Sequence, residues 1–382
     1  MEIHIYHYAL CVSLTLMIFF SYRFIFGRLP EKSIYRPYRI SRGLMGAALL
    51  NLSTNYSIHF FFTPRLEDPV NAILLNLCTY WLAVWLFGSA LMMLLNKNYV
   101  TRKRFLSHIA GWLLYCLTTH ILWRYGSDNL PHMALPIILA VVFLIYAVRV
   151  ARRVFITFRK ATLMLDNYYS EDAAVYIRWM SVFTYWAIIF GVGQGIFTFV
   201  PDRFVYIWII SAIPFYIYLY VSYTNYLLFY EQVAGAINAE EEIVPQLDTE
   251  EQRQEETETS NPANPLSRKM SKIQEQILEK KIEEWITNKE FTKGGITIED
   301  MARNTGTNRT YISYFVNTRY STSFRDWVNR LRLEYAKQLM KEKPELSITE
   351  VATLAGYLSL SYFIRTFKEY EGVTPGRWEK NS

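Results

Sequence analysis

Hydrophobic positions divide this chain into two regimes. Up to about residue 230 they form long unbroken runs; beyond about 268 they recur at helical spacing among charged residues. Seven of the runs, near 6–26, 43–62, 70–95, 105–124, 131–149, 178–200 and 203–229, are long enough to span the roughly 30 Å apolar core of a bilayer. In the second regime Ile273, Ile277, Leu278, Ile282, Trp285 and Ile286 fall on one face of a helix. Ile298, Met301 and Ala302 predict a short helix, Gly306 its end, and Asn308 the N-cap of the next. The same order returns as Ile348, Val351, Ala352 and Ala355, then Gly356, then Ser359 ahead of Tyr362, Phe363 and Phe367. Between the two units Phe324, Trp327, Val328, Leu331, Tyr335, Ala336 and Leu339 predict one long amphipathic helix. The fold expected is all-α: a seven-transmembrane-helix bundle over 1–230, a flexible linker over 231–267, and a tethered double helix-turn-helix domain over 268–382. Its helix-turn-helix units are placed at about 296–318 and 347–371.

Charge sharpens that division. The net charge of +6 over 382 residues hides three unlike segments. Residues 1–230 hold 19 basic and 9 acidic side chains, 231–265 hold 1 and 10, and 266–382 hold 20 and 15. The acidic, Pro-containing middle segment has the composition of a solvated tether. Basic residues gather in alternate loops of the first segment: Arg28, Lys32, Arg36, Arg39 and Arg42, then Lys97, Arg102, Lys103 and Arg104, then Arg149, Arg152, Arg153, Arg159 and Lys160. The positive-inside rule puts those loops in the cytoplasm, the N-terminus outside, and the C-terminal domain inside. The connections are short, leaving no room for a folded external sensor domain.

Candidate chemistry is sparse. The metalloprotease pattern HExxH and the serine patterns SxxK and GxSG are absent, so no enzyme activity and no cofactor is expected. His4, His7, His59, His120 and His132 all map to the outer side, a weak candidate set for a metal or pH sensor against the plainer reading of interfacial histidines. Asn51, Asn55, Asn71, Asn76 and Gln194 lie within apolar runs, where hydrogen bonds between helices are the expected use and a ligand pocket the alternative. The second helix of a helix-turn-helix is shaped for a DNA major groove. Its outward positions are Arg309, Thr310, Ser313 and Tyr314 in the first unit and Leu360, Ser361, Ile364 and Arg365 in the second; these are the expected base readers, with Arg365 suited to guanine. Arg330, Arg332 and Lys368 are expected at phosphates.

The last 30% or so of the chain resembles the AraC/XylS family of transcription regulators. Ile348, Val351, Ala352, Gly356, Tyr362, Phe363, Arg365, Phe367, Lys368, Gly372, Thr374 and Pro375 stand at the family's signature positions. Asp300, Ala302, Gly306, Phe324, Arg332, Leu333 and Ala336 support the first unit. Tyr357 replaces the usual Phe, and Asn317 stands where a basic residue is common. The resemblance implies promoter DNA as partner, RNA polymerase as a further one, activation of transcription as the usual outcome, and a bacterial source. With the apolar half it points to a multi-pass protein of the inner (cytoplasmic) membrane, in contact with the lipid bilayer. A homodimer and an unknown small-molecule or protein signal complete the expected partners. The alternative is a transporter, channel or membrane enzyme with a fused regulatory domain.

Overall fold

The computed structural model describes residues 2–125, 134–197, 205–239 and 272–381. Within them the chain is helical, and it packs as two units. One comprises residues 1–160 and 176–234; the other comprises 161–175 and 235–382.

The first unit contains α1 (Glu2–Phe26), α2 (Arg36–Phe62), α3 (Pro69–Leu95), α4 (Arg102–Tyr125), most of α5 (Ala134–Tyr168), α6 (Arg178–Phe197) and α7 (Val205–Tyr226). Each of the seven apolar runs falls on one of these helices. Among the described residues, five of the helices are long and apolar enough to cross a membrane: α1 from His4, α3, α4 up to Arg124, α5 and α7. Seven were expected. Arg36, Arg39, Arg42, Asn51, Asn55 and His59 dilute α2, and Gln194 with three glycines dilutes α6. The centre of the unit is α3, which packs against α2, α4 and α6 and buries nearly all its second half. By contrast, α4 and α5 leave Leu113, Leu114, Leu117, Ile137, Ile138, Val141 and Ile145 uncovered.

Two asparagines inside this unit are paired between helices, as expected for groups removed from water. The Asn55 Nδ2 donates to Asn76 Oδ1 at 3.0 Å and to Thr79 Oγ1 at 3.2 Å, and Asn51 Nδ2 donates to the Thr79 carbonyl at 2.9 Å. At the start of α3 Asp68 is the cap, its carboxylate accepting from the Asn71 backbone N–H at 3.0 Å. On α7 Tyr216, Tyr223 and Tyr226 are all buried, and Tyr223 donates to Ser41 Oγ at 2.7 Å while Tyr38 donates to the Tyr223 carbonyl.

The helix continues after a turn at 227–229 as α8 (230–239), so the first nine residues of the stretch expected to be linker are helical; residues 240–271 lie outside the described ones. In the second unit α9 (Lys272–Thr287) leads into α10 (Ile298–Asn304), α11 (Arg309–Tyr320), α12 (Phe324–Glu342), α13 (Ile348–Leu354), α14 (Leu360–Glu371) and α15 (Pro375–Asn381). Two cores form. Trp285, Ile298, Met301, Ile312, Phe324, Trp327 and Val328 build the first, and Leu333, Leu339, Val351, Phe363 and Phe367 the second. Both are built on α12, whose 19 residues give it a length of roughly 28 Å.

Local chemistry sets each helix boundary. Thr297 and Asp300 form a capping box at α10, and Ser347 and Glu350 form another at α13. Both carboxyls sit below their ordinary values of 3.8 and 4.5. At Asp300 burial pushes upward, and the Thr297 hydroxyl and N–H together with Arg303 outweigh it. At Glu350 the Ser347 N–H and hydroxyl are the cause. A depressed carboxyl stabilises the fold above its unfolded value, so this contribution is complete near neutral pH and fades as pH falls below about 4.5. Ser347→Ala removes the cap and should destabilise the second core by about 1 kcal/mol, measured as faster hydrogen exchange of the first amides of α13.

Candidate nucleic-acid interface

The two helix-turn-helix units share one turn chemistry. At the end of α10 the Gly306 N–H donates to Arg303 at 3.2 Å and the Thr307 N–H to Ala302 at 2.9 Å. At the end of α13 Gly356 donates to Thr353 at 3.0 Å and Tyr357 to Ala352 at 2.9 Å. Each pair is a Schellman closure with glycine in the left-handed region, φ +63° at Gly306 and +93° at Gly356. Asn308 then caps α11 by accepting from the Tyr311 N–H, and Ser359 caps α14 by accepting from Tyr362. Glycine to cap is two residues in the first unit and three in the second, so the second turn is one residue longer. The repeat is therefore offset by 50 residues at the glycines and 51 at the caps.

These turns position the expected reading side chains. On α11 Arg309, Thr310, Ser313 and Tyr314 are half-buried, and Asn317 donates to Ser313 Oγ at 3.2 Å. On α14 Leu360, Ser361 and Arg365 are exposed, as is Lys368 one turn on. Ile364 is different. It is half-buried and packs against the second core, so it does not stand on the outward face with the others. Arg330 is exposed on α12, against the Tyr370 hydroxyl.

Arg332 overturns its expected role. It is fully buried, with Nε donating to the Phe291 carbonyl at 2.9 Å, Nη2 to the Lys293 carbonyl at 2.9 Å, and Nη1 paired with Glu171 at 2.8 Å. Enclosed by two carbonyls, a carboxylate and the Ser170 hydroxyl, the guanidinium turns no donor outward to a phosphate. Its helical position sits near the seam between outward and inward faces, which periodicity alone does not resolve.

The same region holds residues the sequence did not single out. Arg325, at the start of α12, pairs with Asp166 at 2.5 Å and lies 3.9 Å from Asp172. Asn329 is buried and donates to the Tyr362 hydroxyl at 2.8 Å, tying α12 to the second reading helix. Asp166, Glu171 and Asp172 were legible only as an oddity: three acids closing a loop that otherwise carries five basic residues.

In the first unit the histidines do not assemble. His59 is buried with Nε2 2.9 Å from Asn76 Oδ1, His7 meets the ring of Phe60 edge-on, and His4 and His120 are exposed. His132 lies outside the described residues. Among the described residues no group of three or more His, Cys, Asp or Glu is placed to hold a metal ion. A cavity of about 130 Å³ does exist there, lined by apolar side chains of α2, α3, α5, α6 and α7 with Tyr56, Tyr80, Tyr216 and Thr184 among them.

Comparison with known proteins places the C-terminal part. Residues 301–381 match the family model described as a helix-turn-helix domain. The chain is 32% identical over 80 residues to the HTH-type transcriptional regulator ExsA of Pseudomonas aeruginosa, covering 21% of this chain and 28% of that one. It is 32% identical over 83 residues to the virulence regulon transcriptional activator VirF of Yersinia enterocolitica, covering 22% and 30%. A shorter match, 66% over 29 residues, relates it to the HTH-type transcriptional activator FapR of Escherichia coli, covering 8% and 11%. The chain thus spans less than a third of the length of these relatives. No solved structure matches the chain. Residues 301–381 are thus similar to a helix-turn-helix domain, and the chain shares about 80 residues of similarity with these transcriptional regulators.

Proposed function

We propose that this protein is a membrane-embedded, sequence-specific DNA-binding transcription regulator. The observation that carries the reading is the doubled head: two glycine-closed, side-chain-capped helix-turn-helix units on one shared helix, α12, each with an arginine and hydroxyl groups on its second helix. Two such heads on a rigid spacer suit two successive major grooves of one duplex, about 34 Å apart. Arg309, Thr310, Ser313 and Tyr314 read bases in the first groove, and Leu360, Ser361 and Arg365 in the second. Arg330 and Lys368 hold phosphates and supply affinity without sequence information. Activation of transcription is part of this proposal, supported by two of the relatives being named transcriptional activators.

The membrane part of the reading rests on five helices of spanning length and on the apolar faces of α4 and α5 that no other part of their unit covers. Uncovered aliphatic surface of that extent calls for an apolar solvent. With α2 and α6 also crossing, the three basic loops share the cytoplasmic side, as the positive-inside rule requires. The apolar cavity of the first unit is the space where a small apolar signal molecule would be read. The acidic segment expected as linker over 231–267 would then tether the DNA-binding domain.

The reading is tested by cross-linking DNA to the full chain in cells and recovering it with the membrane fraction. A small set of promoter segments sharing a common sequence is expected; recovery without sequence preference would remove the claim of a specific regulator. On a recovered segment Arg365→Ala should weaken binding by about 1–3 kcal/mol while leaving binding to unrelated duplex unchanged. An equal loss on both would move Arg365 to the phosphate contacts.

A further inference from the structure

We infer that the acidic segment Asp166–Asp172 is a built-in competitor of DNA: docked on the second unit it occupies the arginines of both reading helices, and DNA binding requires its release. The inference rests on the DNA-binding reading above.

The segment comprises the last turn of α5 and the loop that follows, and by its packing it belongs with the C-terminal domain. Its backbone is anchored there. The Ser170 N–H donates to the Ile296 carbonyl at 3.1 Å, and Tyr169 bridges antiparallel to Thr297, the cap of α10. Its side chains then meet the cations of the DNA-binding unit one after another. Asp166 pairs with Arg325 at 2.5 Å, Glu171 with Arg332 at 2.8 Å, and Asp172 with Arg365 at 2.6 Å. At the other head the Arg309 guanidinium lies over the Tyr168 ring, 5.7 Å from its centre, and donates to the Ala239 carbonyl of α8. The outward arginine of each reading helix, Arg309 and Arg365, is thus held by protein.

The chemistry makes this arrangement incompatible with reading. Arg365 recognises a guanine by aiming two parallel N–H groups at its edge. In the docked state one of its nitrogens is committed to Asp172, and a carboxylate stands on the face where the polyanion must approach. Pairs differ in strength. Arg365–Asp172 is half exposed on the arginine side (53%) and contributes little alone. The pairs of Arg325 and Arg332 lie between partners no more than 23% exposed, where water and salt screen much less. The buried pairs hold the segment in place, and the exposed one blocks. The docked turn continues a helix that begins at Ala134 in the apolar half, so a shift of that helix along or about its axis reaches the segment through unbroken backbone.

Two changes in the full chain, in membrane vesicles with sheared genomic DNA of the source organism as probe, test this. First, Tyr169→Cys with Thr297→Cys, in a chain whose three native cysteines are Ala, should cross-link on mild oxidation. DNA binding should fall at least tenfold in the oxidised form and return with reductant. Second, Asp166→Asn with Asp172→Asn keeps the shape and removes the charges, and should tighten DNA binding roughly tenfold as the open population rises. Failure to cross-link, cross-linking without loss of DNA binding, or unchanged or weaker binding by the Asn variant would each overturn the proposal. If neither the oxidised nor the reduced form binds DNA, the DNA-binding reading itself fails, and the proposal with it.

Discussion

Arg332→Met should lower the stability of the C-terminal unit by about 3 kcal/mol, a loss of hydrogen-exchange protection in α12 and α13 on the order of 10²-fold. Methionine fills nearly the same volume, so packing around α12 survives the change. What is lost is donors. The carbonyls of Phe291 and Lys293 are left inside without partners, and Glu171 loses the cation that offsets its own desolvation. The result separates two roles sharply. A phosphate contact would show normal protection with weaker DNA binding at every sequence and a shallower salt dependence. A buried tie-rod shows the loss of protection whether or not DNA is present, and that is the outcome its complete burial predicts.

Gly356→Ala should be nearly as damaging, at about 2–4 kcal/mol read by the same exchange measurement. Gly356 has φ +93°, a region L side chains rarely adopt, and a Cβ there would stand 2.5 Å from the carbonyl oxygen of Thr292. Because that neighbour is backbone, it has no rotamer to yield, and the turn over Glu290–Thr292 would have to move. The contact joins the two halves of the DNA-binding domain, so strain there spreads to both cores. Gly372→Ala is the control. Its φ is +74° with nothing within 4 Å of the added atom, so only the conformational term remains, about 1 kcal/mol.

Much of the DNA-binding domain was legible because its signals are local. Asn308 ahead of Tyr311 and Ser359 ahead of Tyr362 act over three residues, and the structure has both capping; it adds the boxes of Thr297 with Asp300 and Ser347 with Glu350 over the same reach. The same holds for Gly306 and Gly356, where a helix must end in the left-handed region. The inward sides of α11 and α14 were readable from spacing, with Ile312, Phe315, Phe363 and Phe367 in the cores. Ile364 and Arg332 were not. Each sits at the edge of a helical stripe, where one position's shift of the packing partner decides between inside and outside. A basic residue at such an edge reads as surface, because burial of a guanidinium is favourable only where carbonyls and a carboxylate happen to converge on it.

The apolar half follows the same division. Its helices were legible as runs, and so was the pairing of asparagines between them, since a polar group in an apolar run needs a partner. Which asparagine meets which threonine was not, and neither was the clustering of Tyr38 with Tyr223 and Tyr226. Aromatic residues spread around a helix in sequence become a cluster only when a second helix chooses one side.

By itself, the sequence determined the all-helical class, the seven apolar runs, the repeated helix–glycine–cap–helix unit and the arginine on each reading helix. These follow from periodicity, caps and glycine, which operate within one or two turns. Only the tertiary structure decided that Arg332 is a buried tie, that Ile364 turns inward, and that Asp172 lies on Arg365 across 193 positions of chain. Charge attraction between residues so far apart leaves no periodic trace. It depends on the backbone of Tyr169 and Ser170 being held at Ile296 and Thr297, and that placement arises only once the domain has folded.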